Sequence, residues 1–84
     1  MPFDMNPEEI EKALSAEFEG ADITAAGADG KYQVRIISDA FAGLNAVKRQ
    51  QSVYRVLNPH IASGAIHAIS MQLLTREEHA GIGN

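Results

Sequence analysis

The sequence has no cysteine and no tryptophan among its 84 residues. Without thiols it can form no disulfide, no thiolate zinc site, no iron–sulfur cluster held by its own cysteines and no cysteine nucleophile. Positive charge is scarce, with 7 Lys plus Arg against 11 Asp plus Glu and a formal net charge of -4. A nonspecific nucleic-acid binder is normally basic, so this balance counts against that role, although it leaves room for a local basic patch. No apolar run approaches the length that spans a bilayer. The acidic stretch Met1–Glu11 lacks the basic region and apolar core of a signal or transit peptide. The expectation is a soluble, cytoplasmic protein with no membrane association. Internal repeats, low-complexity tracts and linkers are absent too. The 45% apolar content therefore reads as one small domain over residues 1–84, with residues 1–5 as a loose lead-in. So small a core is thin, and partner binding should add to its stability.

What is present alternates between two periods. Asn6-Pro7-Glu8-Glu9 reads as a helix start: a capping side chain, proline at the first helical position and two carboxylates at the positive end of the dipole. Ile10, Ala13, Leu14 and Phe18 follow at helical spacing, and Gly20 stops the helix. Ala21–Ala26 is a short strand, Ala28-Asp29-Gly30-Lys31 a hairpin turn, and Tyr32–Ser38 a strand whose Tyr32, Val34 and Ile36 share a buried face. After a connection with Phe41 and Gly43, Asn45 caps a second helix to about Leu57, with Val47, Tyr54 and Leu57 on its inner face. Pro59 ends that helix and opens a short third one to Ser63. Ile66–Leu74 is the last strand, with His67, Ile69, Met71 and Leu73 on one side. Thr75 and Glu78 form the capping box of a final short helix. The order is helix-strand-strand-helix-helix-strand-helix. A hairpin followed by a helical crossover gives a three-stranded mixed sheet with helices on one face, an α+β fold.

Few residues carry chemistry. Ser38, Asp39 and Ser70 have no evident base with a third orienting group, the carboxylates sit at helix starts where capping explains them, and Gly27-Ala28-Asp29-Gly30 fits a turn rather than a phosphate loop. Catalysis is the least supported class. His60, His67 and His79 match no compact metal motif. His60 and His79 read as surface residues. On the residues alone, His67 reads as a strand-start histidine closing the core edge with one ring nitrogen bonded; a ligand role for the other nitrogen is compatible with that. Arg35, Lys48, Arg49 and Arg55 are either a solvated helix face or a patch for a partner or for phosphates. Phe18, Phe41 and Tyr54 read as core.

Three segments together resemble the BolA-like family. Phe41-Ala42-Gly43 followed by Val47-Lys48-Arg49-Gln50-Gln51-Ser52-Val53-Tyr54 is similar to its Phe-x-Gly and Val-x-Arg/Lys-x-x-x-Val-Tyr stretch. Ile66-His67-Ala68-Ile69 is similar to its Ile/Val-His-Ala-Leu/Val signature, and Thr75-Arg76-Glu77-Glu78 to its Thr-Pro-Glu-Glu close. The Lys48–Tyr54 stretch looks most like the IbaG (YrbA) branch. The resemblance implies a type II KH-like topology and a non-enzymatic role in stress response and iron homeostasis. It also implies pairing with a monothiol glutaredoxin, the two proteins sharing a 2Fe–2S cluster with glutathione, and no cofactor in the chain alone. His67 would be this side's ligand, and Gly30, Lys31, Lys48 and Arg49 would meet the partner. In the family a second ligand, histidine or cysteine, comes from the loop between the first two strands. Here Ala25–Lys31 holds neither; Asp29 offers an oxygen, and Lys31 stands roughly where a histidine is expected. Three arrangements stay open: fewer protein ligands, His60 or His79 moving in, or a weak hold. His79 also stands where the family often has tryptophan. The alternative is a KH-like, DNA-binding transcriptional regulator using Lys48, Arg49 and Arg55. Against it, Gly43-Leu44-Asn45-Ala46 lacks the second glycine of a KH Gly-x-x-Gly loop. Weak homodimerisation is also compatible with the resemblance.

Overall fold

The computed structural model describes residues 5–82, and of Ile82 the backbone alone. Its elements are α1 (Pro7–Glu17), β1 (Asp22–Ala28), β2 (Lys31–Ile37), a 3-10 turn (Asp39–Phe41), α2 (Ala46–Ala62), β3 (Ala68–Leu74) and α3 (Arg76–Ile82). The sheet order is β1-β2-β3, antiparallel between β1 and β2 and parallel between β2 and β3. The expected α+β layout is therefore present, with the central strand flanked by a hairpin partner and a crossover partner.

Local chemistry explains each boundary. The Asn6 side chain accepts the Glu9 N–H at 2.8 Å while Glu9 accepts the Asn6 N–H at 3.0 Å, so two orphan donors at the start of α1 are satisfied reciprocally. Asp29 and Gly30 have φ of 57° and 79°, the paired left-handed geometry of a two-residue hairpin turn whose twist matches the strands. β1 extends to Ala28, beyond the expected Ala26, because the hairpin pairs it rung by rung from Asp22↔Ile37 to Ala28↔Lys31. Its outer edge is held as well: the Glu11 carboxylate accepts the Ala25 N–H at 2.8 Å.

The core lies between α1, α2 and one face of the sheet. Ile10, Leu14 and Phe18 of α1 and its cap meet Tyr32, Val34 and Ile36 of β2, with Phe41, Val53, Leu57 and Ile66 completing the cluster. Phe18 and Phe41 pack tilted, with ring centroids 5.5 Å apart. The opposite face carries Thr24, Ala26, Gln33, Ser70 and Gln72, all exposed. Met5, expected in a loose lead-in, packs against the core, and the Tyr32 hydroxyl donates to its carbonyl. Residues 1–4 lie outside the described residues.

Further expectations change. Val47 is 60% exposed, and the inner face of α2 runs instead through Val53 and Leu57, with Val56 and Ile61 beside them and Tyr54 half-buried. In the first turn of α2 the inward position belongs to Arg49, whose guanidinium lies over the Phe41 ring at 5.9 Å. Next, Pro59 does not divide the helix; α2 runs on to Ala62. Proline there removes the hydrogen bond to the Arg55 carbonyl, and both residues lie on an exposed face of the helix near its end. The last strand begins at Ala68, so its alternation does not reach back: Ile66 is buried in the core and His67 is exposed. Finally, His60 and His79 are half-buried rather than on the surface, and His79 has an enclosed Nδ1 with no hydrogen-bond partner among the described residues.

Candidate functional site at the hairpin end of the sheet

The turn between β1 and β2 and the start of β3 meet at one end of the sheet. Parallel pairing sets Lys31 against Ala68, which brings the residue before β3 onto the turn. The N–H groups of His67 and Ala68 both donate to the Gly30 carbonyl, at 2.6 and 3.0 Å. Gly30 is buried, and the His67 ring lies on it: a Cβ at residue 30 would stand 2.9 Å from His67 Cγ and 3.1 Å from Nδ1. Glycine is thus needed twice, for its left-handed backbone and for the space the imidazole occupies. His67 as a whole is exposed. Asp29 at the turn tip and Lys31 beyond it are exposed too. A shallow hollow of about 290 Å³ adjoins them, lined by Gly27, Lys31, Gln33, Ala68 and Ser70 among others.

His67, Asp29, Gly30 and Lys31 are therefore brought together. Lys48 and Arg49 are not. They begin α2, where Arg49 reaches Leu73 at the far end of β3. Ala68 and Leu73 are separated by five strand steps, about 17 Å. Arg49 is also fully engaged within the fold. Its Nε donates to the Leu44 carbonyl at 2.8 Å and Nη1 to the Leu73 carbonyl at 3.1 Å, and both Nη atoms grip the Glu78 carboxylate at 2.6 and 3.1 Å. This bond holds the Glu78 carboxyl down at about 2, helped by the Thr75 N–H, and the same bond raises the Arg49 guanidinium above its usual range. A residue proposed to grip a partner or a phosphate is instead a clasp from α2 across β3 to α3. Lys48 and Arg55 remain exposed on α2, and Arg35 is half-buried on the open face of the sheet.

Neither remaining histidine completes a ligand set. His79 rides on α3, beyond the far end of β3. His60 is half-buried in the last turn of α2, where its carbonyl accepts the Ile66 N–H and the Ser63 hydroxyl. Among the described residues, no three His, Cys, Asp or Glu side chains converge on a common point. The site sets one imidazole against the turn glycine, with a carboxylate on the same turn. That suits one position in a coordination sphere whose other donors come from elsewhere.

The sequence reading missed Arg76. Its Nη2 donates to the Gly20 carbonyl at 2.5 Å, and its guanidinium lies 3.8 Å from Asp22 and 3.7 Å from Asp39. It ties the start of α3 to the start of β1 and to the 3-10 turn. No local pattern announces this contact, which joins residues far apart in the chain.

The sequence matches the family profile described as BolA-like protein over residues 9–78. It is 42% identical over 74 residues to a protein of the rpoN-murA intergenic region of Acinetobacter guillouiae, covering 88% of this chain and 89% of that one. It is 33% identical over 76 residues to the acid stress protein IbaG of Escherichia coli K12, covering 90% of each. Among solved structures, BolA1 from Arabidopsis thaliana superposes with a TM-score of 0.77 at 28% identity, over 89% of this chain and 96% of that one.

Proposed function

The chain belongs to the BolA-like family, and on that footing we propose that it is a non-enzymatic, cytoplasmic partner of a monothiol glutaredoxin, with which it shares and passes on a 2Fe–2S cluster in iron–sulfur trafficking and iron homeostasis. The observation that carries this reading is the exposed His67 at the hairpin end of the sheet, its ring laid on Gly30 and its main chain anchored, with that of Ala68, to the Gly30 carbonyl. The cluster is cargo. The partner's cysteine and a glutathione thiolate hold one iron, and His67 supplies a neutral nitrogen to the other. Histidine replaces cysteine on one iron of Rieske centres and raises their potential, so the donor is chemically sound. Imidazole binds iron only when neutral, so proton uptake competes with the metal and favours release. That property agrees with the name of the Escherichia coli relative, acid stress protein.

With no histidine or cysteine in the Ala25–Lys31 loop, the fourth donor is the oxygen of Asp29 or a group from the partner. The DNA-binding alternative is weakened, because Arg49 is spent inside the fold and only Lys48 and Arg55 of its three cations remain exposed.

The test mixes the protein with a glutathione-loaded, cluster-bearing monothiol glutaredoxin and records visible absorption and circular dichroism. The expected result is a shifted spectrum that His67→Ala abolishes. A stable complex with no spectral change would reduce the role to docking without ligation. No complex, together with DNA binding that falls steeply with salt and is lost in the double variant Lys48→Ala, Arg55→Ala, would replace this reading with the regulator.

A further inference from the structure

The face of the sheet turned away from the helices is polar, with one cation near its middle. Arg35 of β2 stands opposite Thr24 on β1 and Gln72 on β3, so these three side chains form a row across the sheet. Opposed residues of this kind have Cβ atoms about 5 Å apart. The next row towards the hairpin is Ala26, Gln33 and Ser70, in which two short side chains flank a longer one. The step from long to short side chains leaves a hollow of about 280 Å³ between the rows.

The walls of this hollow hold one cation and no carboxylate. The charge is also unspent within the fold. Arg49 and Arg76 lie against carboxylates, whereas Arg35 has no ion pair among the described residues, and its Nε is enclosed without a hydrogen-bond partner. A donor left so costs more than one in water, and an acceptor brought to it recovers that cost. Thr24 and Gln72 are exposed, so their side chains can turn aside to admit one.

We propose that this hollow is a binding site for a small organic carboxylate. The class follows from charge and shape. One guanidinium neutralises one negative charge, and its planar fork matches the two oxygens of a carboxylate. A phosphate dianion would leave a charge unmatched, in a chain whose net charge is already -4. The Thr24 hydroxyl and the Gln72 amide, on either side of the fork, supply further donors. The tail of the acid lies over Ala26 and the main chain of Val34 and Met71, whose side chains belong to the core face. The volume limits that tail to a few carbons, since sites for drug-sized ligands begin at about 300 Å³.

The test titrates sodium butyrate into the isotope-labelled full chain at neutral pH and constant ionic strength, following amide and arginine Nε–H resonances. Butyramide, of the same shape without the charge, is the control. Butyrate should shift the Arg35 Nε–H and the amides of Thr24, Gln33 and Ser70 saturably. Its dissociation constant should fall in the low millimolar range, roughly what six non-hydrogen atoms with one charged anchor allow. Butyramide should leave these resonances in place. Arg35→Lys keeps the charge and loses the fork, and should weaken binding on the order of tenfold, while Arg35→Gln should abolish it. Both variants change a side chain outside the core and should keep the wild-type amide pattern elsewhere. Shifts that fail to saturate, that butyramide reproduces or that survive Arg35→Gln overturn the proposal. Tighter binding of inorganic phosphate at the same residues overturns the choice of carboxylate. The outcome is independent of the glutaredoxin reading, since no partner protein is present.

Discussion

Replacing Gly30 by alanine should disturb His67 without touching it. Two effects combine. Gly30 has a φ of 79°, and holding an L-residue there costs about 1–2 kcal/mol. A Cβ at this position would also come within 2.9 Å of His67 Cγ, closer than atoms pack, so the ring must swing away. Gly43 separates the two effects: its φ is also 79°, but a Cβ there meets nothing within 4 Å. Gly43→Ala should therefore show the backbone strain alone. For a domain of this size, about 1–2 kcal/mol lowers the midpoint of thermal unfolding by about 4–16 °C. Both variants should fall in that interval, with Gly30→Ala the lower. The decisive readout is the His67 imidazole resonances, which should move in Gly30→Ala and stay in place in Gly43→Ala. Complex formation with the cluster-bearing glutaredoxin should weaken only in the first. If the ring resonances are indifferent to Gly30→Ala, or respond equally to both substitutions, the stacked arrangement of ring on turn is refuted.

Two other predictions address the supports of the site. The Glu78 carboxyl lies at about 2 when folded, below its ordinary value of 4.5, because Arg49 and the Thr75 N–H stabilise its charged form. What it contributes is thus fully present above about pH 4.5 and is lost as pH falls from there towards 2. Urea unfolding across that range should show wild type more stable than Glu78→Gln at neutral pH, with the gap closing in acid; a gap independent of pH would count against the clasp. The phase of α2 is tested by two valines. Val53→Ala removes two buried methyl groups and should cost about 2 kcal/mol with its cavity. Val47→Ala should stay within about 0.5 kcal/mol of wild type, and equal losses in urea denaturation would contradict the helix orientation.

The elements that announce themselves in the sequence are those fixed by neighbours. Asn6 with Glu9, Asp29-Gly30 and Thr75 with Glu78 each close a hydrogen-bonded motif within a few residues, and each stands where the local pattern puts it. Tyr32, Val34 and Ile36 announce a buried face because β2 is central and sees the core along its whole length. The errors fall where a distant partner decides. Val47, Tyr54 and Leu57 are compatible with one helical stripe, yet Val53 takes the core, one turn on from Arg49, which is tied to Glu78 at 29 residues' remove. Ile66 was placed by strand parity, but the chain is not yet a strand there; its last step before Ala68 is set by the Gly30 carbonyl. Of the site, the turn was legible from two residues. The fact that His67 rests on that turn was not, because parallel pairing across a long helical crossover has no local signature. Family resemblance pointed to both pieces without supplying the contact.

That contact bears on the absence of histidine and cysteine from the loop. His67 is positioned by main-chain atoms: the Gly30 carbonyl takes its N–H, and the Gly30 backbone forms the floor under its ring. Neither interaction uses the side chain at 29 or 31. The loop can therefore exchange a histidine or cysteine for Asp29 and Lys31 while the imidazole keeps its place, since what must be preserved is the two-residue turn and its glycine. On the proposed function, presentation of His67 and supply of a second ligand are separate properties of this end of the sheet. A chain that keeps the first and lacks the second offers a partner one nitrogen and a carboxylate, harder and less suited to iron held by sulfide. Under the proposed function, such a site should hold a shared cluster more loosely than a two-ligand site and yield it more readily.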